Sequence, residues 1–380
     1  MTVLVRPERP PALEEGAQGP ALTVSTIADE AGLAGLRADW DALAAQATAP
    51  SPFLGWDWCR LWWRHLGPGR GMRVGVVTHR GQVVGIAPLH VRRFGPVRMM
   101  LPFGWPDGLT EQMEVLCAPR HREQVLEALR SWLLRRRWTA SLIPGLTPAE
   151  VRDGWPGQRL AGEVHFEHRA LPATWDELVP TLNKSMRDNV KYYPRLMVRS
   201  GFGFELRVAE SAAEVRAALP TLFRLHTARA LSPVGEFHRD KLQEPRRRAF
   251  MEEMAAGLAA RGEAKLGLLE VNGATIAAQM WLETGGTMFL YYSGYDPAWS
   301  KYSVAMVTTS EIMKHGMARG LRRVEFLRGT KQFKTRWDTE QRTQTDLLWV
   351  RSRWLLPCVS AARDARGRLR RLLWARRRAL

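Results

Sequence analysis

The chain contains an internal repeat, and this feature constrains its fold more than any other. The segment VGVVTHRGQVVGIAPL, from Val74, aligns without gaps with LGLLEVNGATIAAQMW, from Leu266. In each copy a strand pattern is followed by a tight turn, Arg80-Gly81 or Asn272-Gly273, and by a longer strand pattern. Asn-Gly between apolar strands is a strong hairpin signal. The sequence therefore predicts two related β-hairpins.

The elements after each hairpin come in the same order. The same offset brings VRMMLPFG, from Val97, onto FLYYSGYD, from Phe289, as a third strand. A helical pattern comes next, over about 122–136 in the first copy and 303–319 in the second. A further strand pattern then follows, WTASLI in the first copy and RRVEFL in the second. The chain is therefore predicted to hold two copies of a β-β-β-α-β unit, which is an α/β fold class.

The length and the local composition suggest where the two copies begin and end. A chain of 380 residues favours two domains of ordinary size. A proline-rich start is followed by a helical pattern over 31–47 and by SPFLGWDWCRLWWRHLG, a second helix that begins near Ser51 and stops at Gly67. The predicted division is a disordered tail over 1–20, a first domain over 21–165, a second over 166–350 and a basic segment over 351–380.

The charge balance indicates partners that carry phosphate. Lys and Arg number 56 against 38 Asp and Glu, which gives a net charge of +18. Such a surface attracts nucleic acid, a membrane leaflet or an anionic cofactor. The segment TLNKSMRDNVKYYPRLMVRSG is predicted to be a helix that Pro194 kinks or splits. Its cations follow one helical stripe, which is either a solvated face or a phosphate-facing surface: Lys184, Arg187, Lys191, Arg195 and Arg199.

The final thirty residues form a second basic feature. They contain ten Arg against one Asp, with leucines and two tryptophans at helical spacing. This pattern is typical of a segment that rests on anionic lipid, although a solvated tail or an RNA-binding arm has a similar composition.

Cysteine usage and hydropathy favour the cytoplasm. Cys59, Cys117 and Cys358 are far apart and lack metal or redox spacing, so they are expected to be unpaired thiols. No run of eighteen apolar residues occurs, and charged residues interrupt the sequence after Met1. We expect a cytoplasmic protein, peripheral on the inner face of the membrane.

Two places in the second copy have the character of a site. The stretch FLRGTKQFKTRW, residues 326–337, puts four cations around Gly329 directly after a strand pattern. A helix predicted to begin near Ser303 would present its free N–H groups and its positive dipole end to an anion such as a pyrophosphate.

Three stretches together carry a family resemblance: SPFLGWDWCRLWW, LNKSMRDNVKYYPRL and EFLRGTKQFKTRW. Over residues 23–350 the chain resembles GNAT acyltransferases of the CelD/BcsL type, which are relatives of the FemA/FemX peptidyltransferases. The best-matching motif comprises Glu325, Arg328, Gly329, Phe333, Lys334 and Trp337. Tyr302-Ser303 departs from the family, where a Pro-Gly often begins the donor-binding helix.

The resemblance implies tandem GNAT-like domains with mixed sheets and flanking helices. The second domain would bind acyl-CoA as co-substrate, without a metal, and the cleft between domains would admit an amine. We expect Lys334 to stabilise the oxyanion and Glu325 or His226 to act as general base. Predicted substrate contacts are Arg328, Gly329, Phe333, Tyr292, Tyr295 and Trp337. Predicted donor contacts are Tyr302, Ser303, Lys184, Arg187 and Lys191.

The sequence predicts one type of reaction but leaves several classes of acceptor open. The aromatic content and the basic end favour a lipid amine, such as a sphingoid base that yields a ceramide-type product. The resemblance also allows an amino sugar in exopolysaccharide or cell-envelope synthesis, and FemX-like aminoacyl transfer from tRNA. A basic nucleic-acid-binding protein without enzymatic activity is the alternative from another class, although no RNA- or DNA-binding motif supports it.

Overall fold

The chain divides into two compact units, each of which contains one copy of the repeat. The computed structural model describes residues 22–47, 49–94, 97–105, 108–135, 138–154, 158–232, 240–351 and 354. The first unit comprises the described residues up to Val164 and from Thr343 onward, and the second comprises His165–Arg342. The predicted tail over 1–20 and almost all of the predicted basic segment over 351–380 lie outside the described residues.

The first unit contains two sheets and five helices among its described residues. Its strands are β1 (Thr23–Ile27), β2 (Gly71–Met72), β3 (Val74–His79), β4 (Gln82–Ala87), β5 (Leu89–Phe94), β6 (Val97–Pro102), β7 (Leu116–Cys117) and β8 (Ala140–Leu146). Its helices are α1 (Glu30–Gly35), α2 (Arg37–Ala45), α3 (Trp56–Leu66), α4 (Arg122–Leu134) and α5 (Pro148–Gly154). The first sheet has the order β1-β3-β4-β7, and the second contains β8, β6, β5 and β2.

The second unit is one mixed sheet with helices packed against it. The strands are β9 (Gln158–Ala170), β10 (Phe204–Ala209), β11 (Ala264–Val271), β12 (Ala274–Thr284), β13 (Thr287–Tyr295), β14 (Arg323–Arg328) and β15 (Glu340–Val350). The helices are α6 (Trp175–Thr181), α7 (Lys184–Arg199), α8 (Ala212–Leu231), α9 (Pro245–Ala259), α10 (Val304–Ala318) and α11 (Gln332–Thr335). The strand order is β10-β11-β12-β13-β14-β9. The chain passes between the units within β9 and again within β15, whose C-terminal half pairs with β8.

The two predicted hairpins are confirmed in detail. Arg80 and Gly81 have φ of 50° and 80°, and Asn272 and Gly273 have 49° and 78°, as expected when both turn residues are left-handed. Both hairpins also carry a β-bulge at the aligned position, next to Thr78 in one and Glu270 in the other. A shared bulge supports a repeat more strongly than shared strands, because bulges are specific local features.

The elements after each hairpin also come in the predicted order. A third strand, β6 or β13, is succeeded by a helix, α4 or α10, and by a strand that lies parallel to the third, β8 or β14. A glycine in the first hairpin strand lies beneath the helix in both copies. A methyl group on Gly75 would lie 3.2 Å from Leu129 Cδ2, and one on Gly267 would lie 2.9 Å from Ile312 Cδ1.

Three sequence predictions need correction. The longer strand of the first copy is interrupted at Pro88, which separates β4 from β5, because proline cannot donate to a strand ladder. The helix over 31–47 is two helices that meet at Leu36. Pro194 does not split α7, since the residues beyond it are held by packing in which Met197 is fully buried.

The apolar side chains of the second unit form cores beneath α7 and α10. One cluster joins Met186 and Val190 of α7 to Met313 and Met317 of α10. Another joins Met197 of α7 to residues at the start of α10. The two helices are therefore antiparallel, and the C-terminal half of α7 lies beside the start of α10. No helix in the described part of the chain is long and apolar enough to cross a bilayer.

Candidate functional site

The parallel strands β13 and β14 pair at one end only. Three residue pairs join them, and the last is Phe289 with Glu325. Beyond this pair the ladder stops, although β13 continues to Tyr295 and β14 to Arg328. We call the separation between 290–295 of β13 and 326–328 of β14 the fork. A fork exposes strand backbone to a ligand that enters between the strands.

A β-bulge in β13 lies where the fork opens. Gln279 of β12 pairs with Ser293, whereas Trp281 pairs with Leu290, so Tyr291 and Tyr292 together stand opposite a single residue. A bulge bends the strand and re-aims its side chains and backbone groups, and bulges occur preferentially next to active sites. The bulge therefore lies just after the last pair between β13 and β14, where the two strands separate.

The end of β14 is strained and is held by a buried lysine. Leu327 has a φ of 64° at a second bulge, where β14 gains one residue relative to β9, and Gly329 has a φ of 96°. Lys334 is only 6% exposed. Its Nζ donates to the carbonyl oxygens of Leu327, at 3.0 Å, and Arg328, at 2.6 Å. Left-handed backbone at a bulky residue persists only where the surroundings enforce it. Lys334 thus fixes the shape of this arm of the fork.

Helix α8 packs directly onto β13 beyond the bulge. A side chain at Gly294 would overlap the backbone of Leu225 and His226. His226 Nδ1 donates to the Ser293 carbonyl at 2.9 Å, and Nε2 lies 3.8 Å from Asp240 Oδ1. Burial lowers the pKa of His226, while the Ser293 hydrogen bond and the Asp240 carboxylate oppose this shift.

The predicted tyrosines lie close to this contact between α8 and β13. The His226 and Tyr292 rings are 5.2 Å apart, and Tyr292 is buried. Arg229 lies 5.5 Å over the Tyr295 ring and donates to Ser293 Oγ at 3.1 Å. The structure thus places His226, Tyr292 and Tyr295 around the contact between α8 and β13, together with Arg229 from α8.

The start of α10 presents backbone rather than charged side chains. Ser303 precedes the helix with a φ of 52°, and the first turn contains no acidic residue. The free N–H groups of a helix start favour an anion, and the absence of a carboxylate leaves that preference unopposed. Tyr302 does not face this position, because its ring packs against Phe202 and Trp299 in the core.

The cations of α7 are spread along the helix and do not converge on one point. Lys184 and Arg187 lie at the end far from the start of α10, and Arg187 donates to the Pro180 carbonyl at 3.3 Å. Lys191 is exposed at the middle of the helix, and Arg195 is exposed on the half that lies beside the start of α10. Of the three cations predicted to contact the donor, Lys191 is therefore the one nearest to this helix start along α7.

The remaining predicted residues divide between surface and core. Arg328 is exposed, and Phe333 is 49% exposed on the turn after β14. Trp337 is buried, with its ring stacked on Phe326, so its position is that of a packing residue. Glu325 is buried within β14 and accepts from Arg323.

Sequence reasoning missed two buried residues at the site. His168 of β9 pairs with Glu325 across the sheet. Asp240 accepts from Thr227 Oγ1 at 2.6 Å and from the Leu242 backbone at 2.9 Å. Neither residue belongs to a motif, and only the register of distant strands and helices brings them to the site. The described residues contain no cluster of three or more potential metal ligands.

Comparisons with known proteins agree with this geometry. Residues 184–335 match a family model described as an acetyltransferase (GNAT) domain. A comparison with curated protein sequences finds no significant match.

Three solved structures are similar in fold. FemX is 12% identical, with a TM-score of 0.57, and the match covers 85% of this chain and 98% of FemX. The C-terminal domain of a putative lysylphosphatidylglycerol synthetase from Agrobacterium fabrum is 10% identical, with a TM-score of 0.53 and coverage of 88% and 96%. A conserved protein of unknown function from Bacteroides thetaiotaomicron is 12% identical, with a TM-score of 0.53 and coverage of 83% and 97%.

The fold is a GNAT fold of mixed α/β sheets with flanking helices, as the sequence predicts. The family match includes β13, α10 and β14, which form the fork and the helix start beside it. The protein is an acyltransferase of the GNAT type. At the level of the whole chain, its fold is similar to that of FemX.

Proposed function

We propose that the protein transfers an acyl group from acyl-CoA to an amine, with the donor bound in the fork of the second unit. The observation that carries this proposal is the bulge at Tyr291–Tyr292, at the point where β13 and β14 separate. A short connection leads from β13 to α10, so a donor in the fork would have its phosphates near a helix start. Acyl-CoA is the donor that a GNAT fold typically uses.

The residues around the fork suggest how the reaction proceeds. The thioester would lie along β13 beyond the bulge, where backbone N–H groups can polarise its carbonyl. Lys191 and Ser303 would meet the phosphates. Lys334 would act chiefly by holding the carbonyls of Leu327 and Arg328 in place. Its other candidate role is a direct contact with the oxyanion, and the kinetics of a Lys334 variant distinguish the two roles.

The acceptor we propose is an amine carried by a lipid at an anionic membrane surface. The outer face of α7 combines five cations with the exposed side chains of Tyr192 and Val198. Cations beside an exposed ring and an apolar side chain suit a lipid interface. One protein of similar fold is named for the synthesis of lysylphosphatidylglycerol, a lipid. Within this proposal the chain is of the CelD/BcsL type and acts peripherally on the inner face of the membrane.

A product assay tests the reaction and the acceptor together. The purified chain is incubated with acyl-CoA of short or long chain length, or with charged tRNA in its place, and products are identified by mass spectrometry. The acceptors offered are a sphingoid base in anionic vesicles, glucosamine, and no added amine. Amide formed on the sphingoid base supports the lipid acceptor. Faster acylation of glucosamine would overturn the lipid acceptor but leave the acyltransferase reaction, and transfer only from charged tRNA would overturn acyl-CoA as donor.

Membrane contact through α7 is tested separately. Reversing Lys191 and Arg195 to Glu should weaken sedimentation with anionic vesicles, because each cation near the surface contributes about 1 kcal/mol. The matched control reverses two exposed cations of α8 in the same way, Arg216→Glu together with Arg224→Glu. Equal loss in both variants would show that net charge, rather than this face, governs binding.

A further inference from the structure

A buried carboxylate at the vertex of the fork lacks a full set of hydrogen-bond partners. Glu325 is 4% exposed and pairs with Phe289, the last residue of β13 that still contacts β14 in the ladder. Its Oε1 accepts from Arg323 at 3.1 and 3.3 Å. Its Oε2 is also buried and has no hydrogen-bond donor among the described residues. A buried carboxylate oxygen without a donor is costly, so it requires a functional explanation.

The residue opposite Glu325 on β9 is His168, and one of its ring nitrogens also lacks a hydrogen-bond partner among the described residues. His168 is 9% exposed, and its Nε2 lies 3.4 Å from Glu340 Oε2. A carboxylate can only accept, so the tautomer that this contact favours carries its hydrogen on Nε2 and leaves Nδ1 as an acceptor. Nδ1 is buried and has no hydrogen-bond partner among the described residues. Two acceptors without donors therefore occupy neighbouring, paired positions in the sheet.

The adjacent carboxylate on β9 is a useful contrast. Glu167 is equally buried, but it accepts from Thr339 Oγ1 at 2.6 Å and from Gln341 Nε2 at 3.1 Å. The fold thus satisfies one buried carboxylate on this strand pair and leaves its neighbour, at the fork, without a second donor.

We propose that Glu325, His168 and Glu340 form a proton path that deprotonates the acceptor amine and delivers the proton to solvent. This inference rests on the proposed function. The acceptor enters as an ammonium ion and gives one proton to Glu325 Oε2, and the neutral amine attacks the thioester carbonyl. When the C–S bond breaks, the thiolate takes a second proton from nitrogen, which leaves the amide and free CoA.

The protonated Glu325 then restores its carboxylate by passing its proton to His168 Nδ1. The resulting imidazolium releases the Nε2 proton toward Glu340, whose side chain is 78% exposed. The path thus runs from a buried acceptor to a solvated carboxylate in two transfers. General acid–base catalysis of this kind contributes about 10²–10⁴-fold to a rate.

The surroundings of His168 keep it able to accept a proton. Burial lowers its pKa, and the cations Arg323 and Arg342 lower it further, whereas Glu325 and Glu340 raise it. The imidazole is therefore neutral near pH 7 and becomes a better base when both carboxylates are ionised.

The closing experiment combines kinetics with a measurement that does not need activity. Glu325→Gln should lower kcat/KM about 100-fold, and His168→Gln about 10-fold, with a changed pH profile in both. The losses should shrink with methoxyamine, an amine that is already neutral at pH 7. Glu167→Gln is the matched control, since it removes a buried carboxylate of the neighbouring strand β9 and should keep the wild-type pH profile.

The second measurement is the His168 pKa by NMR in the wild-type protein and in Glu325→Gln. The path predicts a lower His168 pKa in the variant, because the charge of Glu325 raises it. An unchanged His168 pKa overturns the path whatever the activity. Wild-type turnover with unaltered pH profiles in Glu325→Gln and His168→Gln overturns the path and leaves the proposed function intact. No turnover by the wild type with any amine overturns the proposed function itself, while the pKa measurement still decides whether the two residues are coupled.

Discussion

The two units share a hairpin and differ in the connection after the third strand. In the first unit, β6 and β8 pair in parallel at only two positions, Met99 with Ala140 and Met100 with Ser141. A long connection then runs from β6 to α4. Several of its residues are buried, among them Leu109, Thr110, Gln112 and Met113. In the second unit the corresponding connection is residues 296–303 only.

The long connection of the first unit packs against the end of β8, the strand that corresponds to β14 of the fork. A methyl group on Gly145, near the end of β8, would lie 2.5 Å from Glu114 Cβ and 2.9 Å from the Met113 carbonyl oxygen. The connection then adds β7 to β4. The comparison teaches that the end of one β-β-β-α-β scaffold is either covered by its own chain or left uncovered, depending on the length of one loop.

The largest expected effect is at the contact between α8 and β13. Gly294→Ala should lower the free energy of unfolding by more than about 3 kcal/mol, because the new Cβ overlaps helix backbone, which cannot move aside. Gly75→Ala in the first unit should cost less, since its nearest neighbour is a leucine methyl group. Urea unfolding measures both. Equal costs would mean that α8 does not constrain β13.

Acid should destabilise the first unit through His90. Burial, together with Arg70 and Arg92, lowers the pKa of His90 from 6.5 to about 3. The unfolded chain therefore binds an additional proton between these pH values, and stability is lost as pH falls from 6.5 toward 3. At pH 4 the expected loss is about 3 kcal/mol. His90→Gln should remove this part of the pH dependence.

A variant of the second unit sharpens this test. His226 is also buried with a lowered pKa, but the Asp240 carboxylate and the Ser293 carbonyl oppose the shift. His226→Gln should therefore alter acid unfolding less than His90→Gln does. Unfolding midpoints between pH 7 and pH 4 decide the order. A larger effect at His226 would contradict the assignment of acid sensitivity to the first unit.

Lys334 should support both stability and turnover. Lys334→Met leaves the buried carbonyls of Leu327 and Arg328 without this donor, at a cost of about 1–3 kcal/mol. Lys331→Met, at an exposed neighbour, is the control. If Lys334 positions the fork, both KM for the donor and kcat should change. A fall in kcat alone, with unchanged stability, would instead assign Lys334 to the oxyanion.

The smallest expected effect is on acyl-CoA binding, and it compares the start of α10 in the second unit with the start of α4 in the first. Ala305→Glu adds a carboxylate to the first turn of α10 and should weaken acyl-CoA binding about 5-fold, since a charge there is worth about 1 kcal/mol. The same change in the first unit, Gln124→Glu on α4, should leave binding unchanged. Calorimetry with each variant checks the contrast, and equal losses would place the donor elsewhere.

Local signals in the sequence were sufficient for the repeat, and non-local packing determined the rest. The turns at Arg80-Gly81 and Asn272-Gly273 result from residue type, because glycine adopts a positive φ without strain. The pairing of Glu325 with His168 depends on a register between strands more than 150 residues apart, and no short pattern encodes that. The inward packing of Tyr302 likewise depends on Phe202 and Trp299.

The fork of the second unit is expected to bind the donor, and the first unit is not. Amide hydrogen exchange with and without acyl-CoA tests this central claim most directly. We predict protection at 290–295 of β13 and at the first turn of α10, with no change over 97–102 of β6 or at the first turn of α4. Protection of the first unit alone, or bound donor with no protection at β13, would contradict the claim.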